Sequence, residues 1–270
     1  MSTCFEKLRA KGHKALVPYI TAGDPDPEIV VELMLSLADS GADIIELGIP
    51  FSDPMADGPV IQRSSERSLK NGVSLLNCLD WVEEFRRFNN DTPIVLMGYA
   101  NPIEKLGIKE FATKASKSGV DGVLVVDYPP EESVEFCKLM KSKKVDVIFL
   151  LAPTTSQLRL KQIANSGSGY LYYVSLKGVT GASNINVKDV SSRIDQIRKI
   201  TSLPVLVGFG ISSPESAAEI ASTSSDGIVI GSAIIDKLDK AYRSGKDPIK
   251  EIAFFVKEVR KKINLSSKVF

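Results

Sequence analysis

Eight short apolar runs recur along this 270-residue chain, and a stretch whose apolar residues fall at helical spacing follows each of them. The runs are Lys14–Thr21, Asp43–Gly48, Pro93–Met97, Gly122–Val126, Val145–Leu151, Tyr170–Val174, Pro204–Val207 and Gly227–Ile230. Both odd and even positions in them are apolar, so each reads as a strand buried on two faces in a parallel sheet. Eight such units in about 250 residues predict a (β/α)8 TIM barrel. A doubly wound open sheet fits less well, because no G-x-G-x-x-G follows the first run. No linker or low-complexity tract interrupts the pattern. We therefore expect a single domain over 1–270, with the barrel core at about 14–265 and an extra N-terminal helix ahead of it. Helices are expected near Ile108 to Ser118, Glu131 to Lys141, Pro153 to Ala164 and Pro214 to Ala221, with a final one at Ile249 to Lys262. Trp81, Val82 and Phe85 share one face of a further helix, Leu75 to Phe88, which makes Trp81 a core residue.

The charge balance, 34 Lys+Arg against 33 Asp+Glu, leaves no basic stripe for nucleic acid. No apolar run approaches the roughly 20 residues of a membrane span. The opening Met-Ser-Thr-Cys-Phe-Glu-Lys-Leu lacks the basic-then-apolar order of a secretory signal. Cys4, Cys78 and Cys137 are odd in number and far apart, which favours reduced thiols in a cytoplasmic protein. His13 is the only histidine and sits in a polar turn, so neither a His-based triad nor a multi-histidine metal site is expected.

After the second run comes Glu46-Leu-Gly-Ile-Pro-Phe-Ser-Asp-Pro-Met-Ala-Asp-Gly-Pro59. The strand period puts Ile44, Glu46 and Gly48 on one face, so the Glu46 carboxylate has apolar flanks. Burial there disfavours the charged form and raises the pKa, as a general acid requires. Asp57 follows at the far end of a proline-stiffened loop, and the two carboxylates could reach one substrate from different sides. Each also has a plainer reading: Glu46 as a strand-end carboxylate capping loop amides, and Asp57 as an ordinary Asp-Gly turn residue.

Glycines mark the last three strand ends, in Gly178-Val-Thr-Gly-Ala182, Gly208-Phe-Gly-Ile211 and Gly231-Ser232, the last opening a short helix from Ser232 to Leu238. Glycine lets backbone approach an anion closely, and helix-start amides offer donors and a favourable dipole. Barrels often bind phosphate there, so a phosphate monoester held mostly by amides is expected.

The chain resembles the α chain family of tryptophan synthase. The motifs that carry the resemblance are Pro18-Tyr-Ile-Thr-Ala-Gly-Asp-Pro25, the Glu46–Pro59 stretch, Tyr99-Ala-Asn-Pro102, Gly178-Val-Thr-Gly-Ala182, Gly208-Phe-Gly-Ile211 and Asp226-Gly-Ile-Val-Ile-Gly-Ser232. The resemblance implies retro-aldol cleavage of indole-3-glycerol phosphate to indole and glyceraldehyde 3-phosphate, with no metal or organic cofactor in this chain. The family's catalytic glutamate falls on Glu46 and its aspartate on Asp57. Its phosphate-binding positions fall on Gly181, Gly210, Gly231 and Ser232. Tyr172 matches a tyrosine that could position the glutamate, and Thr180 lies in a loop expected to close over substrate and contact Asp57. Tyr19, Met97, Leu124 and Phe209 would form an apolar slot for indole. Ser175-Leu-Lys-Gly178 lacks an arginine that some members carry.

The resemblance also implies a partner, a β chain holding pyridoxal phosphate, in an α2β2 heterotetramer that passes indole through a tunnel to make L-tryptophan. Asp53, Pro54 and Asn101 would belong to the face that meets it. Rival readings are an indole-glycerol-phosphate synthase, which would want a lysine acid, and an epimerase, which would want metal-binding histidines. A third rival is a non-catalytic regulatory barrel that only activates its β partner.

Overall fold

Every one of the eight apolar runs forms a strand in the computed structural model, which describes residues 1–175, 187–208 and 210–266. The strands are β1 (Ala15–Thr21), β2 (Ile45–Gly48), β3 (Ile94–Gly98), β4 (Gly122–Val125), β5 (Asp146–Leu151), β6 (Leu171–Val174), β7 (Val205–Gly208) and β8 (Gly227–Ile230). All pair in parallel and in sequence order, and β1 with β8 closes the cylinder. Around them run α1 (Ser2–Ala10), α2 (Val30–Asp39), α3 (Pro59–Lys70), α4 (Leu75–Arg86), α5 (Ala100–Leu106) and α6 (Ile108–Ser118). The ring continues with α7 (Val134–Ser142), α8 (Gln157–Ser166), α9 (Val187–Arg198), α10 (Pro214–Ala221), α11 (Ser232–Arg243) and α12 (Pro248–Ser266).

The two-residue strand period sorts the core into two layers. Val17, Ile44, Val95, Leu124, Ile148, Tyr170, Leu206 and Val229 fill the barrel interior. Their neighbours in sequence, such as Leu16, Ile45, Leu96, Val123 and Ile228, pack outward against the helices. Helix α1 closes the N-terminal mouth: Phe5 and Leu8 join the inner layer, and the Phe5 ring meets Tyr170 edge-on with centroids 6.2 Å apart.

At that same end, one device recurs four times. A residue just ahead of each even-numbered strand takes a hydrogen bond from the backbone N–H near the start of the preceding odd one. Asp43 accepts from Leu16 at 2.8 Å, Asp121 from Ile94 at 2.8 Å, Ser168 from Val147 at 2.9 Å and Asp226 from Val205 at 2.8 Å. The three aspartates also pair with arginines, Arg260, Arg86 and Arg198 in turn. Asp43→Ala would leave the Arg260 guanidinium and the Leu16 N–H without this mostly buried partner. We expect a loss of about 2–3 kcal/mol, read as a lower urea midpoint with an unchanged slope.

Several helix limits differ from the sequence expectation. Helix α5 is an addition to it, since Pro102 reads as a break. The proline lies in the first turn, where a missing N–H costs nothing, and the Asp127 carboxylate accepts from Ala100 N–H at 2.8 Å to cap the helix. Helix α7 starts at Val134 rather than Glu131, because the N–H groups of Glu132 and Ser133 both turn back to the Pro129 carbonyl. Helix α8 starts at Gln157, capped by Ser156, whose hydroxyl accepts from Arg159 N–H at 3.3 Å. Helix α11 runs on past Leu238 to Arg243, because its buried stripe of Ile234, Ile235 and Leu238 continues to Ala241. Trp81 is half-buried against the outer layer, as a core-edge residue.

Candidate active site

The inward face of β2 carries Glu46 into the barrel, where it is fully buried. Its Oε1 accepts a 2.5 Å hydrogen bond from the Tyr170 hydroxyl, while Oε2 is buried without a partner among the described residues. Burial pushes the Glu46 pKa up to about 7, against the opposing pull of the Tyr170 bond. A carboxyl poised there can give a proton and take one back near neutral pH.

Asp57 is held by a different set of groups. Its own N–H donates to the Pro54 carbonyl at 3.0 Å, and Gln62 Nε2 donates to its backbone carbonyl at 2.9 Å. The Tyr99 hydroxyl donates to Asp57 Oδ2 at 2.9 Å and accepts from Ala56 N–H at 3.1 Å. The Tyr99 ring stacks on Phe51 at 5.3 Å, so one tyrosine fixes both ends of the loop. Burial raises the Asp57 pKa, and the Tyr99 bond partly offsets it.

Both carboxylates line one cleft of about 330 Å³ at the C-terminal ends of the strands. Tyr19 and Tyr172 stand in it, each over a glycine at the end of the next strand. A Cβ on Gly48 would lie 2.1 Å from the Tyr19 hydroxyl, and one on Gly208 would lie 2.1 Å from the Tyr172 hydroxyl. No larger residue at 48 or 208 leaves these rings where they are. Met97 adds apolar surface. Gly210, Gly231 and Ser232 line the same cleft, Gly231 beside the Tyr19 ring and Gly210 at φ +75°, a conformation that favours glycine. Ser232 opens α11, where the Gly231 carbonyl accepts from the N–H groups of Ile234 and Ile235 and those of Ser232 and Ala233 make no bond among the described residues.

The structure thus brings Tyr19, Glu46, Asp57, Met97, Tyr172, Gly210, Gly231 and Ser232 to one cavity. Leu124 is not part of its wall: it is fully buried in the inner layer, in register with Met97. Thr180, Gly181 and Phe209 lie outside the described residues. The tyrosine bonded to Glu46 is Tyr170, not Tyr172, which is a correction to the sequence reading. Tyr99 belongs to one of the sequence motifs, but nothing in the sequence signals its grip on Asp57. His13 sits at the opposite end of the barrel, beside Arg9 and Lys14. Among the described residues, no group of three or more His, Cys, Asp or Glu side chains could hold a metal ion.

Asp53 is exposed and accepts from the Ser52 hydroxyl at 2.5 Å. Pro54 is half-buried, and Asn101 is exposed. Asn101 lines a second cleft of about 490 Å³ with Pro50, Phe51, Ser52 and Pro102, between the loop that follows β2, the junction of α3 with α4, and helix α5.

Known proteins of similar sequence share this barrel. The family model described as "Tryptophan synthase alpha chain" matches residues 5–264. A tryptophan synthase alpha chain from Polynucleobacter asymbioticus is 54% identical over 260 residues, covering 96% of this chain and 97% of that one. One from Azoarcus sp. strain BH72 is 53% identical over 264 residues, covering 98% and 96%. Among solved structures, tryptophan synthase subunit alpha from Legionella pneumophila superposes with a TM-score of 0.91 at 42% identity, covering 98% of both chains. A chain of the tryptophan synthase complex from Pyrococcus furiosus superposes with a TM-score of 0.81 at 38% identity, covering 92% of this chain and 98% of that one.

Proposed function

This chain belongs to the tryptophan synthase alpha chain family, and from that premise we propose which of its residues carry the family's reaction. The chain is a lyase that cleaves indole-3-glycerol phosphate to indole and glyceraldehyde 3-phosphate in tryptophan biosynthesis. The observation that carries the assignment is a fully buried Glu46 with one unpartnered carboxylate oxygen among the described residues, lining the same cleft as Asp57.

In this reading the phosphate sits on Gly210, Gly231 and Ser232, with Gly181 adding to the same end, and the indole lies between the carboxylates. Neutral Glu46 gives its proton to indole C3, which makes the ring an iminium and weakens the bond from C3 to the side chain. The resulting carboxylate takes the proton of the adjacent hydroxyl as that bond breaks. The electrons of that bond return to the ring, the hydroxyl carbon leaves as an aldehyde, and Glu46 ends protonated as it began. Asp57 accepts a hydrogen bond from the ring N–H and stabilises the positive charge developing there. Tyr170 orients Glu46, and Tyr99 orients Asp57. Tyr19, Met97 and Phe209 bound the indole, Tyr172 faces it, and Thr180 closes over the substrate.

The partner in this reading is a tryptophan synthase β chain that carries the pyridoxal phosphate, in an α2β2 heterotetramer. Support comes from the Pyrococcus furiosus neighbour, which is described as a tryptophan synthase complex. Asp53, Pro54 and Asn101 would face that partner. The reading extends to a cytoplasmic location, in keeping with three free cysteines. Among the described residues, no helix is long and apolar enough to cross a membrane.

The test is indole release from indole-3-glycerol phosphate by the purified chain, with and without a β chain. Slow release that rises on adding β is expected. A chain that activates β but releases no indole in either case would instead be a regulatory subunit.

A further inference from the structure

One carboxylate, Asp236, lines the cleft beside Ser232, and two more, Asp24 and Asp239, gather around Arg67, which is an odd setting in which to receive a dianion. Asp236, in the second turn of α11, lines the cleft itself together with Ser232 and Ala233. Asp239, further along α11, pairs with Arg243 at 2.8 Å and with Arg67 at 3.6 Å. Asp24, buried in the loop after β1, takes two hydrogen bonds from Arg67, at 2.6 Å from Nε and 2.9 Å from Nη2. Arg67 comes from α3, the helix that begins two residues after Asp57. Its guanidinium pKa is raised chiefly by the Asp24 hydrogen bonds; burial opposes this, and the charges of Asp24, Asp239 and Asp236 add to the rise. Arg243 is largely exposed, so Arg67 is the more buried cation of this cluster.

The start of a helix carries only about half a unit of positive charge. Against it stand three carboxylates within one side-chain cluster, and Coulomb interactions in such partly buried surroundings fall off slowly enough to be felt across it. Mostly amide-based recognition works here only if those charges are answered. Arg67 does this without lining the cleft itself, by forking onto Asp24 and reaching Asp239 at the same time. Its helix is also pinned to the β1 loop by neutral bonds, Ser64 to Thr21 at 2.7 Å and Ser68 to the Ala22 carbonyl at 2.5 Å. The position of α3 therefore does not depend on Arg67 alone, and its charge can be tested apart from its packing.

We propose that Arg67 is a positioning and charge-compensating residue for phosphate binding, one that holds Asp24 and Asp239 and screens Asp236 so that the start of α11 can accept a phosphate dianion. This rests on the phosphate reading given above and adds the group that makes the site usable.

The test is calorimetric titration of the full-length chain with sn-glycerol 3-phosphate at low ionic strength. Arg67→Met is expected to weaken binding about tenfold, whereas Arg67→Lys, which keeps the charge and loses the fork, stays within about threefold. Asp236→Asn, whose carboxylate makes no hydrogen bond or ion pair among the described residues, should tighten binding about threefold. In the reaction, Arg67→Met should raise KM about tenfold and leave kcat within about twofold. Equal losses in the Lys and Met variants, or an unchanged Met variant, would overturn the proposal. If Arg67→Met does not fold, the failure of Asp236→Asn to tighten binding overturns it alone. Absence of saturable binding by the parent chain would instead remove the phosphate reading, and the role of Arg67 with it.

Discussion

Glu46→Gln should cut kcat by about 10³-fold and, at the same time, make the protein more stable above neutral pH. The rate loss follows from replacing a group that both gives and takes a proton with an amide that does neither. The stability gain follows from the cost of burying a charge. A carboxyl raised from 4.5 to about 7 binds its proton more tightly folded than unfolded. Between those values the native state holds the extra proton, so stability falls as pH rises from the unfolded value and levels off above the folded one. A rise of that size corresponds to about 3 kcal/mol lost by pH 8, a cost that the uncharged amide does not carry. The amide also keeps an oxygen to accept from Tyr170, so packing is preserved. Urea midpoints of parent and variant should coincide near pH 5 and diverge by pH 8, with the variant higher. The parent's kcat/KM should hold up to about pH 7 and decline above it, as the acid form is lost. A variant that turns over at the parental rate removes Glu46 from the chemistry, whatever its stability.

Asp57→Asn should lower kcat by about 10²-fold with a small change in KM, because the lost interaction grows only as charge develops on the indole nitrogen. Asparagine keeps the shape and an oxygen for the Tyr99 hydroxyl, so the loop between β2 and α3 should remain in place. Near-parental glycerol 3-phosphate affinity would show that the phosphate end is intact. A rise in KM with kcat unchanged would mean that Asp57 binds the substrate's ground state and not its transition state.

The barrel was legible because its signal is repeated eight times, and no single boundary carries it. Helix ends were less so, since caps such as Ser156 on Arg159 N–H and Asp127 on Ala100 N–H are settled by side-chain geometry. Strand parity put Glu46 on one face with Ile44 and Gly48, among apolar neighbours, and closure of the barrel makes that face the inner one. Parity could not choose between Tyr170 and Tyr172, which share the inner face of the β6 run. The choice depends on height along the barrel: Tyr170 lies deeper, against Phe5, and meets Glu46, while Tyr172 rises to the cleft. Leu124 stays in the inner layer while Met97, its register partner, lines the cleft, for a related reason. Strand tilt staggers neighbouring strands along the barrel axis, so a residue in register with an open one can be closed over. Tyr99 was hidden because its bond to Asp57 spans 42 positions and depends on the path of a loop.

The four side-chain acceptors at the base divide the cylinder into quarters, each a pair of adjacent strands closed upon itself by its own bond. Such quarters are natural units of recombination. A junction ahead of α4 keeps Arg86 with Asp121, and one ahead of α9 keeps Arg198 with Asp226. The remaining pair, Arg260 with Asp43, links the last helix to the first quarter. Chimeras cut at those two places would carry each arginine along with its aspartate. A cut between α4 and β3 would separate Arg86 from Asp121 and leave a guanidinium facing whatever the donor barrel supplies.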